Sequence, residues 1–173
     1  MVKKICLVGA PHSGKTALLE RYIYNRWHAE YLPTMAPKVT RSVATFPMPE
    51  RIQEIQMQMM VWDFPQVDKA AQRVGARLRG ASGVLALVRP GDDVVGDLGR
   101  LRAWIHDHEP AAAVLGVLSH FDEANLSEAH LAQLESQLAP RGIQLVSTSA
   151  KTGQGVRAAF LRLGEAVVRS SPI

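Results

Sequence analysis

An eight-residue motif near the N-terminus constrains the fold of this chain more than any other feature. Residues 9–16 read Gly-Ala-Pro-His-Ser-Gly-Lys-Thr and match the pattern G-x-x-x-x-G-K-[ST]. The apolar run Val2–Val8 precedes the motif, and apolar residues from Leu18 to Ile23 follow it at helical spacing. The motif is therefore predicted to be a glycine-containing loop between a buried strand and a helix.

Such a loop has a definite chemistry. It turns successive backbone N–H groups inward, where they hold phosphate oxygens. Lys15 is predicted to place its charge on the outer phosphates, and the Thr16 hydroxyl is a candidate ligand for Mg²⁺. A nucleoside di- or triphosphate is the expected ligand, and a plain glycine turn is the alternative. The remaining candidate phosphate-binding residues are Gly9, His12, Ser13 and Gly14.

The rest of the chain alternates short apolar runs with helical patterns, which predicts an α/β sheet with right-handed crossovers. Two successive extended segments, Lys38–Phe46 and Gln53–Trp62, predict a hairpin that turns at Pro47-Met48-Pro49. The second strand should therefore be antiparallel, at one edge of the sheet. The later strands are predicted at Val84–Val88, Ala113–Leu118 and Ile143–Ser147.

Helices are predicted from spacing and caps. Ser127 is a candidate N-cap, and the last helix should bury a stripe of apolar residues. We expect a single domain over residues 1–173, a three-layer α/β fold with six mostly parallel strands and about five helices. The stripe of the last helix comprises Val156, Phe160, Leu163 and Val167.

Charge and cysteine content exclude several classes of protein. The 173 residues include 20 Lys plus Arg and 16 Asp plus Glu, and this net charge of +4 is too diffuse to predict nucleic-acid binding. The single Cys6 lies in an apolar run, so it predicts no internal disulfide and a reducing, cytoplasmic setting. We expect no membrane span and no direct lipid anchor, because no apolar stretch approaches ~18 residues and the tail has no cysteine.

With the phosphate loop in place, the chain resembles the Ras-like small GTPases, most closely the Ras and Rab branches, over essentially its whole length. Tyr31-Leu32-Pro33-Thr34 is similar to the first switch, and the resemblance implies that Thr34 binds the metal and the terminal phosphate. Val61-Trp62-Asp63 is similar to the start of the second switch, where Asp63 would hold Mg²⁺ through water. The segment Thr148-Ser149-Ala150-Lys151 is similar to the loop whose alanine N–H contacts the guanine carbonyl.

The second switch departs from the family pattern. The family has Asp-Thr-Ala-Gly-Gln-Glu, whereas this chain has Asp63-Phe64-Pro65-Gln66-Val67-Asp68. Val67 replaces the glutamine that orients the attacking water, and a valine has no group that can hydrogen-bond water. The resemblance therefore implies GTP hydrolysis that is slow or assisted by a partner, with Lys15 and Thr34 as the candidate catalytic residues.

The guanine-reading segment also departs from the family. The family has Asn-Lys-x-Asp, and this chain has Ser119-His120-Phe121-Asp122. Asp122 retains the carboxylate that accepts two guanine donors, whereas Ser119 and His120 are weaker substitutes for the first two positions. The candidate guanine-binding residues implied by the resemblance are Ser119, His120, Asp122, Ser149, Ala150 and Lys151.

These features lead to one hypothesis of function and two rivals. The leading hypothesis is a guanine-nucleotide-binding switch that uses Mg²⁺ with GTP or GDP and meets an effector or activating protein at its switch segments. A pseudo-GTPase that acts as an interaction scaffold, with or without bound nucleotide, is the alternative. An ATP-using phosphotransferase would need an adenine site and a lid, and the sequence indicates neither.

Two further clusters have simpler interpretations. His106-Asp107-His108-Glu109 resembles a metal cluster, but its place at the polar end of a helix favours a solvated surface. The methionines of the hairpin, Met57, Met59 and Met60, are predicted to pack rather than to bind a cofactor.

Overall fold

The computed structural model describes residues 1–30, 34–47, 54–64 and 71–171, which form a six-stranded sheet flanked by five α-helices. Two short 3₁₀ turns, Phe121–Glu123 and Ala139–Arg141, lie between longer elements. The strands are β1 (Val2–Gly9), β2 (Lys38–Pro47), β3 (Glu54–Asp63), β4 (Ala81–Val88), β5 (Ala113–Leu118) and β6 (Gln144–Ser147). The helices are α1 (Lys15–Tyr24), α2 (Ala71–Leu78), α3 (Val94–His108), α4 (Glu128–Leu138) and α5 (Val156–Ser170).

The strand order is β2-β3-β1-β4-β5-β6. Only the β2–β3 pair is antiparallel among the described strands, and every other neighbouring pair is parallel. The prediction of a mostly parallel sheet with an antiparallel second strand at one edge is confirmed. Because β1 is flanked by β3 and β4, the loop that follows β1 lies where the chain changes direction across the sheet. Open α/β sheets bind their ligands at such a point.

The core has two layers, one on each face of the sheet. Strand β1 contributes to both, because Ile5 packs in the layer of α1 and α5 while Cys6 packs in the layer of α2, α3 and α4. A strand buried on both faces is an uninterrupted apolar run, as Val2–Val8 nearly is. The stripe predicted for α5 is buried at all four positions, Val156, Phe160, Leu163 and Val167.

Some strands begin or end at residues other than those predicted. Strand β4 begins at Ala81, three residues before the predicted start, because Ala81 already pairs with Lys4 of β1. Gly83 lies inside this strand, where a Cβ would come within 2.8 Å of the Val167 side chain, so the close packing of α5 requires glycine there. The β2–β3 ladder extends to the Pro47–Glu54 pair, and the predicted turn after Pro47 lies outside the described residues.

Two local predictions are confirmed, the N-cap of α4 and the packing of Met57 and Met59 in the hairpin. The Ser127 side chain accepts a hydrogen bond from the His130 N–H at 3.2 Å and caps α4. Met57 and Met59 are fully buried in the core, as packing residues should be. Within the described ranges, no helix combines the length and hydropathy needed to cross a bilayer.

Candidate functional site

The loop between β1 and α1 depends on two glycines with positive φ. Gly9 has a φ of 154°, and a Cβ there would lie 2.5 Å from the carbonyl oxygen of Leu87 and 2.7 Å from Ser13 Oγ. Gly14 has a φ of 84° and is the N-cap of α1. The Ser13 N–H donates to the Ala10 carbonyl at 3.2 Å and closes the turn. Only glycine allows the chain to pass this close to β4, so the N-terminus of α1 comes to the end of the sheet.

Lys15, the first residue of α1, folds back across this loop. Its Nζ donates to the carbonyl oxygens of Gly9 at 3.0 Å and Ala10 at 2.9 Å, and to Ser13 Oγ at 3.3 Å. Burial lowers the pKa of Lys15, and the charge of Asp63 partly opposes the shift. The ammonium group is thus held against two carbonyl oxygens and one hydroxyl of the loop.

Three side chains that are far apart in the sequence converge next to Lys15. The Thr16 hydroxyl donates to Asp63 Oδ2 at 2.6 Å, and Thr34 Oγ1 lies 2.6 Å from Thr16 Oγ1. Because the single Thr16 proton goes to Asp63, the Thr34 hydroxyl is the donor to Thr16. Thr34 also lies 3.5 Å from Asp63 Oδ2. The structure therefore brings together the three candidate metal ligands, Thr16, Thr34 and Asp63.

Asp63 is the least satisfied member of this group. It ends β3 with no exposed surface, and its Oδ1 has no hydrogen-bond partner among the described residues. Burial raises the pKa of Asp63, while the hydrogen bond from Thr16 and the charge of Lys15 oppose the shift. Two hydroxyls and a carboxylate are the oxygen donors that Mg²⁺ prefers, so the residues present fit this ion.

The candidate guanine-binding segments meet at the ends of β5 and β6. The Thr148 N–H donates to the Leu118 carbonyl at 2.8 Å, and the Phe121 N–H donates to the Thr148 carbonyl at 3.0 Å. These bonds place residues 119–122 beside residues 148–151. Asp122 is exposed and Ala150 is half-buried.

Ser119 and His120 connect this end of the site to the phosphate loop. The buried Ser119 hydroxyl donates to the Val88 carbonyl at 3.1 Å, so at 2.9 Å it accepts from His120 Nδ1. The His120 ring covers Gly14, where a Cβ would lie 3.0 Å from His120 Cε1. Burial lowers the pKa of His120, assisted by Arg89 and opposed by Glu123 and Asp122. The lowered pKa favours a neutral imidazole, and this ring packs over Gly14, the N-cap of α1.

The loop at 148–155 is shaped by its own hydrogen bonds. The Ser149 N–H donates to the Gln154 carbonyl at 2.9 Å, and the Gly153 N–H donates to the Ser149 carbonyl at 2.8 Å. Ser149 Oγ accepts from the Thr152 N–H at 3.1 Å, and Ser149 is fully buried. Its side chain therefore supports the turn of this loop from within.

A cleft of about 380 Å³ runs from the phosphate loop to residues 148–151, within the size range of small-ligand sites. Gly9, Ser13, Asp63 and Ser149 are not among the residues that line it. The predicted residues that line it are His12, Gly14, Lys15, Thr16, Thr34, Ser119, His120, Asp122, Ala150 and Lys151.

Sequence reasoning missed one wall of this cleft. Trp27, in the segment that follows α1, lines it together with His28, and Lys151 Nζ lies 5.7 Å from the centre of the Trp27 ring. The three tryptophans of the sequence, Trp27, Trp62 and Trp104, are single and dispersed, and no motif predicts a ligand contact for any of them. The available signal was the position of Trp27, a large aromatic residue in a polar segment between the phosphate loop and Thr34.

The segment His106–Glu109 has structural contacts of its own. His108 Nδ1 lies 2.8 Å from the Trp104 carbonyl, and Glu109 accepts a hydrogen bond from the Gly80 N–H at 2.6 Å. Across the described ranges, no group of three or more His, Cys, Asp and Glu side chains is arranged to hold a metal ion. The replaced residues of the second switch, Gln66 and Val67, lie outside the described residues.

Comparison with known families provides an independent finding. A family model described as "Ras of Complex, Roc, domain of DAPkinase" matches residues 4–122, which are 119 of the 173 residues. The match includes the phosphate loop, Thr34, Asp63 and the segment at 119–122. A search of curated proteins finds no match. Because the family match covers more than half of the sequence, the chain belongs to the Roc family of Ras-like, GTPase-type nucleotide-binding domains.

Proposed function

We propose that this protein is a guanine-nucleotide-binding switch that uses Mg²⁺ with GTP or GDP. The observation that carries the proposal is the convergence of Thr34 and Asp63 on Thr16, beside Lys15 and the phosphate loop. These residues come from three separate segments. The two hydroxyls lie against Asp63 Oδ2, and Asp63 Oδ1 is a buried acceptor that has no partner among the described residues. A cation with its bound water would satisfy this acceptor.

At the phosphate end, the loop N–H groups and Lys15 hold the phosphate oxygens. Gly9 and Gly14 allow the close approach of the backbone, and His12 and Ser13 line the turn. Thr16 and Thr34 would hold Mg²⁺ through their hydroxyls and Asp63 would hold it through water, and the ion would neutralise charge on the phosphates.

At the base end, the Asp122 carboxylate accepts the two donors of guanine, and the Ala150 N–H donates to its carbonyl. Adenine lacks that pair of donors, so this contact selects guanine. Trp27 and Lys151 form one wall of the base site. Ser119, His120 and Ser149 support the two loops rather than reading the base themselves, as their hydrogen bonds to neighbouring residues indicate.

The switch itself follows from the position of Thr34. Its hydroxyl reaches Thr16 and Asp63, so a triphosphate with Mg²⁺ would hold this segment and loss of the terminal phosphate would release it. The surface that changes is the one we propose for an effector or activating protein. Lys15 and Thr34 are the candidate catalytic residues, because both would stabilise charge as water attacks the terminal phosphorus.

Hydrolysis without a partner should be slow, because Val67 stands where the family places its water-orienting glutamine. The same substitution favours the second candidate, a pseudo-GTPase that binds nucleotide without hydrolysing it and acts through its surface. We further propose that residues 1–173 form one domain, since α5 packs in the same core layer as β1. The buried, unpaired Cys6 supports a reducing, cytoplasmic setting.

A binding and turnover experiment tests this proposal. Nucleotide-free protein is titrated with labelled GDP, GTP and ATP, with saturating Mg²⁺ and with excess chelator, and phosphate release is then followed in a single turnover. Guanine nucleotides should bind more tightly than ATP, and Mg²⁺ should strengthen their binding. In Asp63→Ala, Mg²⁺ should strengthen binding less, and Asp107→Ala, which removes an exposed carboxylate, is the matched control. Equal affinity for GTP and ATP would contradict the guanine assignment, and tight GTP binding without phosphate release would favour the pseudo-GTPase.

A further inference from the structure

Arg21 ties the helix that follows the phosphate loop to the loop at 148–155. It lies six residues after Lys15 on α1. Its Nε donates to the Ala150 carbonyl at 2.6 Å, and its Nη2 donates to the Lys151 carbonyl at 2.7 Å. Its Nη1 donates to both oxygens of Asn25, at 3.2 Å to the carbonyl and 3.0 Å to Oδ1. All three nitrogens of the guanidinium therefore donate hydrogen bonds, to backbone oxygens of the loop at 148–155 and to the backbone and side-chain oxygens of Asn25.

The chemistry of the guanidinium makes this contact a strong constraint. Hydrogen bonds from a charged donor are about twice as strong as neutral ones. Its planar fork also sets the directions of two parallel donors, which a lysine ammonium cannot do. Here the Nε and Nη2 donors bind the carbonyl oxygens of two successive residues, Ala150 and Lys151. The internal bonds of the loop shape its turn, whereas Arg21 sets where that turn sits relative to α1.

The third nitrogen, Nη1, contacts the residue that follows α1. Asn25 caps the C-terminus of α1 with a φ of 51°, and its N–H donates to the Arg21 carbonyl at 3.1 Å. The segment that contains Trp27 departs from this residue. Arg21 thus contacts both segments that contribute to the proposed base site, the one that carries Ala150 directly and the one that carries Trp27 through Asn25.

We infer that Arg21 is a positioning residue for guanine recognition, which fixes the Ala150 N–H relative to nucleotide phosphates held at the N-terminus of α1. The inference rests on the proposed function. Without Arg21 the phosphate end of the site remains intact, because its contacts lie at Gly9–Thr16, Thr34 and Asp63. In contrast, the Ala150 N–H is no longer held where it would donate to the guanine carbonyl.

The test measures whether the variant loses recognition of the guanine carbonyl in particular. Dissociation constants are measured for GDP and for 6-thioguanosine diphosphate, which keeps both donors proposed for Asp122 and replaces the carbonyl oxygen at position 6 by sulfur, a weak acceptor. The wild type should prefer GDP. Arg21→Ala should weaken GDP binding by roughly 10- to 100-fold, as expected for charged hydrogen bonds, and should weaken analogue binding far less. The preference for GDP should therefore largely disappear.

Two further variants complete the experiment. Arg21→Lys retains the charge without the fork and should show an intermediate preference, and it supplies the measurement if thermal melting shows that Arg21→Ala does not fold. Arg157→Ala removes an exposed arginine from α5 and should keep the wild-type preference. If the Arg21 variants weaken both ligands equally, or neither, the inference is overturned while the proposed function stands. If the wild type binds neither ligand, the proposed function fails first.

Discussion

Replacing Asp63 by Asn should raise the stability of the ligand-free protein and lower its affinity for Mg²⁺. The carboxylate has no exposed surface, and its Oδ1 has no partner among the described residues. An unpaired buried polar atom costs about 1–3 kcal/mol, and a charged one costs more. An amide has the same shape without the charge and can still accept from Thr16. Burial is the largest cause of the raised pKa of Asp63 and exceeds the attraction to Lys15, so removing the charge should stabilise the ligand-free protein by roughly 1 kcal/mol.

For a chain of this length, such a gain raises the melting temperature by about 2–4 °C. The pH dependence should change as well, because burial raises the pKa of Asp63 in the folded state. In the pH interval between the ordinary and the raised pKa, the folded protein binds more protons than the unfolded chain, so its stability falls as the pH rises. Asp63→Asn should lack this fall.

The affinity for Mg²⁺ should change in the opposite direction. Loss of a residue that holds a metal through its outer shell costs about 10- to 100-fold in metal affinity. The assay compares the affinity for labelled GDP under saturating Mg²⁺ and under excess chelator, in the wild type, in Asp63→Asn and in the exposed control Asp107→Asn. The ratio should fall only in Asp63→Asn. An unchanged ratio would refute the metal assignment, and a lower melting temperature without ligand would refute the reasoning about the buried charge.

Three other perturbations test separate parts of the structure. Gly155→Ala should melt at least about 2–4 °C below Gly142→Ala. Both glycines have positive φ, but a Cβ at Gly155 overlaps the Ser147 carbonyl, whereas a Cβ at Gly142 meets nothing within 4 Å; equal melting temperatures would contradict this. Burial lowers the pKa of His120. Between this lowered pKa and the ordinary value of about 6.5, the unfolded chain binds more protons than the folded protein, so the free energy of unfolding should rise with pH. His120→Asn should flatten that rise in urea titrations, and an unchanged slope would count against it. Burial raises the pKa of the Cys6 thiol to about 12, so a thiol reagent should label the folded protein only at its rate of opening; rapid labelling would show that Cys6 is accessible.

Local sequence signals were enough for most of the fold. The apolar run Val2–Val8 and the glycine motif predicted β1, the loop and α1, because a strand buried on both faces and a turn with positive φ each demand particular residues. Helical spacing predicted the buried stripe of α5, and Ser127 predicted the start of α4. Where boundaries moved, as at Ala81, the cause was pairing with a strand distant in the sequence, to which local patterns are insensitive.

For the candidate site as well, the sequence predicted the residue types, and only the structure showed which of them are in contact. The motif and the resemblance named Thr16, Thr34 and Asp63, but only the tertiary structure brought their oxygens together and left one carboxylate oxygen without a described partner. The contact of Arg21 with Ala150 joins residues 129 positions apart, and no periodicity or motif encodes it. Residue types and short spacings determine which chemistry each loop can perform. How the layers pack on the sheet decides which loops meet, because those contacts depend on side chains that lie far apart along the chain.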